Sequence, residues 1–181
     1  MRSRSYTWLL ALVLLLTAAL ALRGIGAQSL WFDEGWSAYG AAQPDLAAAA
    51  ASDATNPPLY YMLLHVTARL WGDSELGLRV VSVFAGLLSI ALAARWLCEG
   101  WGRSTALLGA AALATLPLWW WAMREARMYT LLALLALLAV YAFGQLRRGP
   151  SRRAWALLIF AELAALYTHN TGPVVIVWLN A

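Results

Sequence analysis

Leu59-Tyr60-Tyr61-Met62-Leu63-Leu64-His65-Val66-Thr67-Ala68-Arg69-Leu70-Trp71 is the stretch on which the fold turns. It is apolar enough for a membrane, yet it runs for about 13 residues where about 20 are needed to span. Its polar residues decide how it lies. Tyr61, His65 and Arg69 follow at i, i+4 and i+8 along one side of a helix, while Leu59, Met62, Leu63, Val66 and Leu70 crowd another. That pattern predicts a juxtamembrane helix over 59–71, lying at the interface with its polar edge toward the preceding loop. Asn56-Pro57-Pro58 stops whatever comes before it, because a residue ahead of proline is pushed out of the helical region.

The arginines test this reading. Further apolar runs lie at about 6–22, 78–97, 105–121, 129–146 and 154–167, with the start of another at 173. If 59–71 does not cross, Arg147, Arg148, Arg152 and Arg153 fall on the same side as Arg2, Arg4, Arg95 and Arg103, as the positive-inside rule asks. If it does cross, those four arginines move outside. The non-crossing version is adopted, with the N-terminus cytoplasmic. The apolar core at 6–22 is too long for a cleavable signal and reads as an uncleaved first span.

Composition agrees. The chain has 181 residues, 62% hydrophobic and 12% charged, whereas soluble domains run at about 45–50% apolar and about 25% charged. One all-α integral membrane domain follows: a polytopic helical bundle whose long first outer loop carries short juxtamembrane helices. The net charge of +4 comes wholly from arginine and is topology signal. No arginine stripe with stacking aromatics marks a nucleic-acid partner. A single cysteine, Cys98, excludes an internal disulfide and a CxxC site. The last run stops about nine residues after Pro173, too few to cross, so the chain reads as the N-terminal portion of a larger module.

On this topology, polar clusters meet at one membrane face. The first is Trp31-Phe32-Asp33-Glu34-Gly35-Trp36, two adjacent carboxylates among aromatics that prefer headgroup depth. The second is the segment from Asn56 through Tyr61 and His65 to Arg69, and the third is Arg124-Glu125-Ala126-Arg127-Met128-Tyr129. His169 ends the next outward run, and Glu162 lies inside that run on the same helical face. An ionisable residue within a span is a functional hypothesis by default.

These residue types support transfer chemistry. A carboxylate near arginines can act as general base for an incoming hydroxyl, and the arginines can neutralise a departing phosphate. Alternatively, Asp33, Glu34 and Glu125 can hold a divalent cation through oxygen ligands. No Gly-rich phosphate loop, HExxH, GxSxG or EF-hand pattern is present.

The order Leu30-Trp31-Phe32-Asp33-Glu34, Asn56-Pro57-Pro58-Leu59-Tyr60-Tyr61, Gly72-Asp73-Ser74-Glu75 with Arg79, then Arg124 to Tyr129, resembles the N-terminal part of the C-type membrane glycosyltransferases. More narrowly, it is similar to the bacterial branch related to protein O-mannosyltransferases and the lipid A aminoarabinose transferase. The resemblance implies an inner-membrane enzyme that moves a sugar from a polyprenyl-phosphate carrier to an acceptor on the periplasmic face, with inversion. The acceptor (glycan, lipid or protein) is left open. In that picture Asp33 is the base, Glu34 its partner and Glu125 the second acidic position, while Arg124, Arg127 and Tyr129 stand near the carrier phosphate. Asn56 occupies a position where relatives often carry histidine, and it can donate a hydrogen bond but cannot shuttle a proton. Asn56, Tyr61, His65, Arg69, Glu162 and His169 complete the expected substrate-binding set. The alternative from another class is a transporter or flippase-like subunit for a lipid-linked substrate, which would need polar groups near mid-bilayer.

The topology is checked by labelling single cysteines beside Glu34, Glu125 and Arg148 in a chain lacking Cys98. The first two are expected to react with an impermeant reagent from outside while the third stays protected. Labelling of the two acids from opposite sides contradicts a shared site.

Overall fold

The computed structural model describes residues 3–180, and among them the chain is helical with no strand. Ten helices follow in order: α1 Ser3–Leu22, α2 Phe32–Ala41, α3 Leu46–Ala50, α4 Leu59–Trp71, α5 Glu75–Trp101, α6 Arg103–Thr115, α7 Pro117–Met123, α8 Tyr129–Arg148, α9 Arg152–Leu166 and α10 Gly172–Asn180. Three are long and apolar enough to cross a membrane: Arg4–Leu22, Glu75–Trp101 and Tyr129–Arg148. The protein is an all-α polytopic membrane protein.

Two of the apolar runs take forms that the sequence alone did not define. The run read as one span at 105–121 is broken into α6 and α7, which meet at 66°. Leu116 precedes Pro117 and adopts an extended backbone (φ −70°, ψ 119°), as the proline ring demands. The pair makes a fourth span only if its two halves cross together. The run at 154–167 forms α9, whose 15 residues fall short of the spanning length on their own.

Small residues let the helices approach closely, as packing inside a bilayer requires. Ala106, Ala110 and Ala114 of α6 lie against Ile90 and Ala94 of α5, and Ala139 and Ala142 of α8 lie against Leu158 and Ala161 of α9. By contrast α1 presents Trp8, Leu12, Leu15 and Leu16 to its surroundings, the arrangement of a lipid-facing span.

The connection between α1 and α5 folds over one end of the bundle. Beneath it sits a core of Tyr60, Tyr61, Leu64, Leu78, Val81, Ala126 and Met128. Helix α2 rests on α4 through Gly40: a Cβ there would meet the Tyr61 ring at 2.7 Å and Ser52 Oγ at 2.9 Å. Only glycine permits that approach. The other face of α2 carries Phe32, Trp36 and Tyr39, all exposed.

His65 and Arg69 of α4 fasten the same connection from below. The buried His65 donates from Nδ1 to the Ala41 carbonyl at 3.2 Å, and Arg69 donates to the Pro44 carbonyl at 2.5 Å. These two members of the polar edge of α4 thus meet the backbone at and beyond the far end of α2, away from its carboxylates.

Candidate active site

Helix α2 begins at Phe32, so Asp33 and Glu34 occupy its first turn, where carboxylates are favoured by the helix dipole. Neighbours on a helix point about 100° apart. The two acids therefore part company.

Glu34 turns inward and is wholly buried. Arg79 of α5 grips it through two hydrogen bonds, Nε to Oε1 at 2.8 Å and a terminal nitrogen to Oε2 at 2.6 Å. The Ala126 N–H adds a third at 2.7 Å and the Trp31 N–H a fourth at 3.3 Å. Burial pushes the Glu34 carboxyl up, but the Arg79, Ala126 and Trp31 donors outweigh it and hold the group below its ordinary range. With both oxygens committed, Glu34 is an anchor, held apart from the carboxylate with which the sequence pairs it.

Arg79 is equally committed. Its guanidinium also donates to the carbonyls of Ile25 at 2.6 Å and Gln28 at 2.8 Å. It thereby ties the exit of α1 and the start of α2 to one point on α5, and Glu34 adds the segment before α8 through Ala126. Sequence reasoning gave Arg79 no role. The available signal was a charged residue at the head of an apolar run.

Asp33 points the other way. Its carboxylate has no hydrogen-bond or ion-pair partner among the described residues. It lines a cavity of about 470 Å³ together with Trp36, Ser52, Asp53, Asn56 and Arg127. Trp36 and Ser52 are shared with a wider groove of about 710 Å³ that opens past Trp31, Phe32 and Tyr39.

Arg127 is 7% exposed and donates to the Asp33 carbonyl at 2.9 Å, while its buried Nε has no partner. Arg127 also lines the cavity, so its guanidinium charge bears on an anion held there, while the unpaired Nε itself is shut off from that space.

Asp53 closes the opposite wall. It accepts from Tyr61 Oη at 2.5 Å, Asn56 Nδ2 at 2.9 Å and the Thr55 N–H at 2.7 Å. Burial raises its carboxyl, and these bonds more than reverse the effect, bringing it down to about 2. Burial and the bond to Asp53 push the Tyr61 hydroxyl well up, so it remains a donor. Tyr61 thus shapes the cavity wall through Asp53, and Asn56 both lines the cavity and holds Asp53.

The other expected site residues divide. Glu125 accepts a hydrogen bond from the Trp31 indole, and its carboxyl is raised by burial and by the neighbouring Glu34 and Asp33 charges. Arg124 faces away from the cavity and caps α1, donating to the carbonyls of Ala21 and Arg23, each at 2.9 Å. Tyr129 stacks on Trp121 with ring centres 5.3 Å apart and meets His169 at 6.4 Å. Burial, with the Arg127 charge behind it, holds His169 below its ordinary value. Glu162 is remote from this group and accepts from Asn180 Nδ2 at 2.9 Å. Asn170 donates to the Thr55 carbonyl at 2.6 Å, bracing the cavity rim from the α9–α10 turn.

Nor do the acids assemble a cation site. Glu34 is occupied by Arg79, and among the described residues no three His, Cys, Asp or Glu side chains are placed to hold a metal ion. The donors present do not fit a divalent centre at Asp33, Glu34 and Glu125.

The fold and the site together define a helical membrane bundle with an acid and arginine cavity at one end. Residues 55–179 match the dolichyl-phosphate-mannose-protein mannosyltransferase family, and the chain belongs to that family. It is a membrane glycosyltransferase by that membership. No curated protein and no solved structure shows a significant match to the chain.

Stability conferred by the low Asp53 carboxyl is fully present above the ordinary range near 4 and is lost as pH falls through about 2. Thermal unfolding followed across this acid window is expected to show the loss in the native chain, and Asp53→Asn is expected to flatten that part of the profile.

Proposed function

We propose that the chain carries the catalytic carboxylate of an inverting transferase that moves a sugar from a polyprenyl-phosphate carrier to an acceptor at the outer, periplasmic face of a bacterial-type inner membrane. The supporting observation is the shared cavity: an unpartnered Asp33 carboxylate and the Arg127 side chain line one space.

The division of labour follows. Asp33 takes the proton of an acceptor hydroxyl as its oxygen attacks the anomeric carbon, and the carbon–oxygen bond to the carrier phosphate breaks. The phosphate leaves with the bonding pair, and the Arg127 guanidinium offsets its negative charge. Glu34 and Arg79 act only by position. The Arg127 charge also acts on Tyr129 and His169, and Glu125 holds Trp31 at the mouth of the aromatic groove. Attack by the acceptor on the face opposite the departing phosphate inverts the anomeric centre.

A transporter is less well supported by this arrangement, because the unpartnered acid and the buried arginine gather at one end of the bundle. Glu162, the acid inside α9, is paired with Asn180.

General-base assistance is worth roughly 10²–10⁴-fold. Asp33→Asn in the full-length protein, assayed with radiolabelled polyprenyl-phosphate mannose in proteoliposomes, is expected to lose transfer by that order while retaining thermal stability. Arg127→Gln is expected to slow turnover as well. Undiminished transfer by Asp33→Asn would remove the carboxylate from the reaction.

A further inference from the structure

A second polar centre lies at the other end of the bundle. Helix α8 begins at Tyr129 beside the candidate site and runs 20 residues, about 30 Å, to Arg148. There Glu99 of α5 accepts from Arg95 at 2.5 Å, Arg148 at 2.7 Å, Tyr141 at 2.9 Å and Gln145 at 2.8 Å. This network clamps the foot of α5 to α8 and consumes the carboxylate completely.

Arg147, Arg152 and Arg153 are left with no ion-pair partner among the described residues. Cationic charge therefore exceeds anionic charge around the turn from α8 to α9. In the elbow of that turn is a cavity of about 330 Å³, lined by Tyr141, Gln145, Ser151 and Arg153 on its polar side and by Ala154 and Leu157 on its apolar side. Of the three unpaired arginines, Arg153 alone lines it. Ser151 accepts from the Ala154 N–H at 3.3 Å, so its own hydroxyl proton is left to donate.

We propose that this elbow binds a phosphate group, supplied by the headgroup of an anionic phospholipid, with Arg153 as the anchoring cation. The cavity joins a guanidinium and a hydroxyl donor to an apolar wall, which matches a phosphodiester attached to a glycerol and its chains. A membrane-spanning α8 places its last turn at headgroup depth, where such lipids are presented. The site is separate from the Asp33 cavity, and the inference stands whether or not that cavity performs sugar transfer.

The test is native mass spectrometry of the intact chain with phosphatidylglycerol or phosphatidylcholine, alongside single variants R153Q, R152Q and R147Q. One phosphatidylglycerol is expected to be retained in preference to phosphatidylcholine. R153Q is expected to weaken it about tenfold, the loss of one charge-assisted hydrogen bond, with R152Q and R147Q changing it far less. R153K is expected to keep part of the affinity, and an unchanged melting midpoint in phosphatidylcholine shows that R153Q remains folded. Displacement of the lipid by millimolar inorganic phosphate upholds the phosphate site and assigns it to soluble phosphate as well. Equal weakening by all three substitutions overturns the proposal, since diffuse surface attraction does not distinguish them. Absence of any preference for phosphatidylglycerol overturns it too.

Discussion

The buried pair of Glu34 and Arg79 is the constraint on which the cavity-bearing end of this protein depends. An ion pair removed from water is expensive, and its attraction offsets the desolvation cost only when geometry and additional hydrogen bonds are good. Here both conditions are met: the contact is two-pronged, and the remaining donors and acceptors are met by backbone groups from Ile25, Gln28, Trp31 and Ala126. Three of those four lie in the connection between α1 and α2 and the fourth, Ala126, in the segment before α8, nearly a hundred residues further along the chain. An apolar pair of equal volume could fill the space, but it could not fix the direction in which each backbone enters.

The consequence is felt one residue away. With Glu34 pinned inward, helical geometry turns Asp33 toward the cavity, and the Ala126 contact fixes the neighbouring Arg127 opposite it. The carboxylate that lines the cavity owes its direction to one that does not. Arg124 plays the same part for α1, and Asp53 plays it for Tyr61 and Asn56.

The helices were legible because long apolar runs, prolines and arginine placement are local signals. The juxtamembrane helix at 59–71 was read from the spacing of Tyr61, His65 and Arg69, and the helix occupies those same residues. What its polar edge touches was not legible, since the carbonyls of Ala41 and Pro44 are ordinary backbone with no mark in sequence. The adjacent acids were read as one pair because a string of letters places them side by side; a helix start at Phe32 separates them. Arg124 and Arg127, three residues apart, were read as equivalent phosphate ligands, yet only a turn's geometry sends one to α1 and the other to the cavity. The break at Leu116 is the opposite case: Pro117 marks it in the sequence, although the apolar run on either side is unbroken.

The central claim, that the Glu34 and Arg79 pair organises the cavity-bearing end, is tested most directly by a double-mutant cycle on thermal stability. Arg79→Met strands a buried carboxylate and is predicted to be strongly destabilising, on the order of 3–5 kcal/mol. Glu34→Gln combined with Arg79→Met is predicted to recover much of that loss, because no buried charge then remains unpaired. Losses that simply add in the double variant would contradict the account, since independent residues behave in that way and a coupled pair does not.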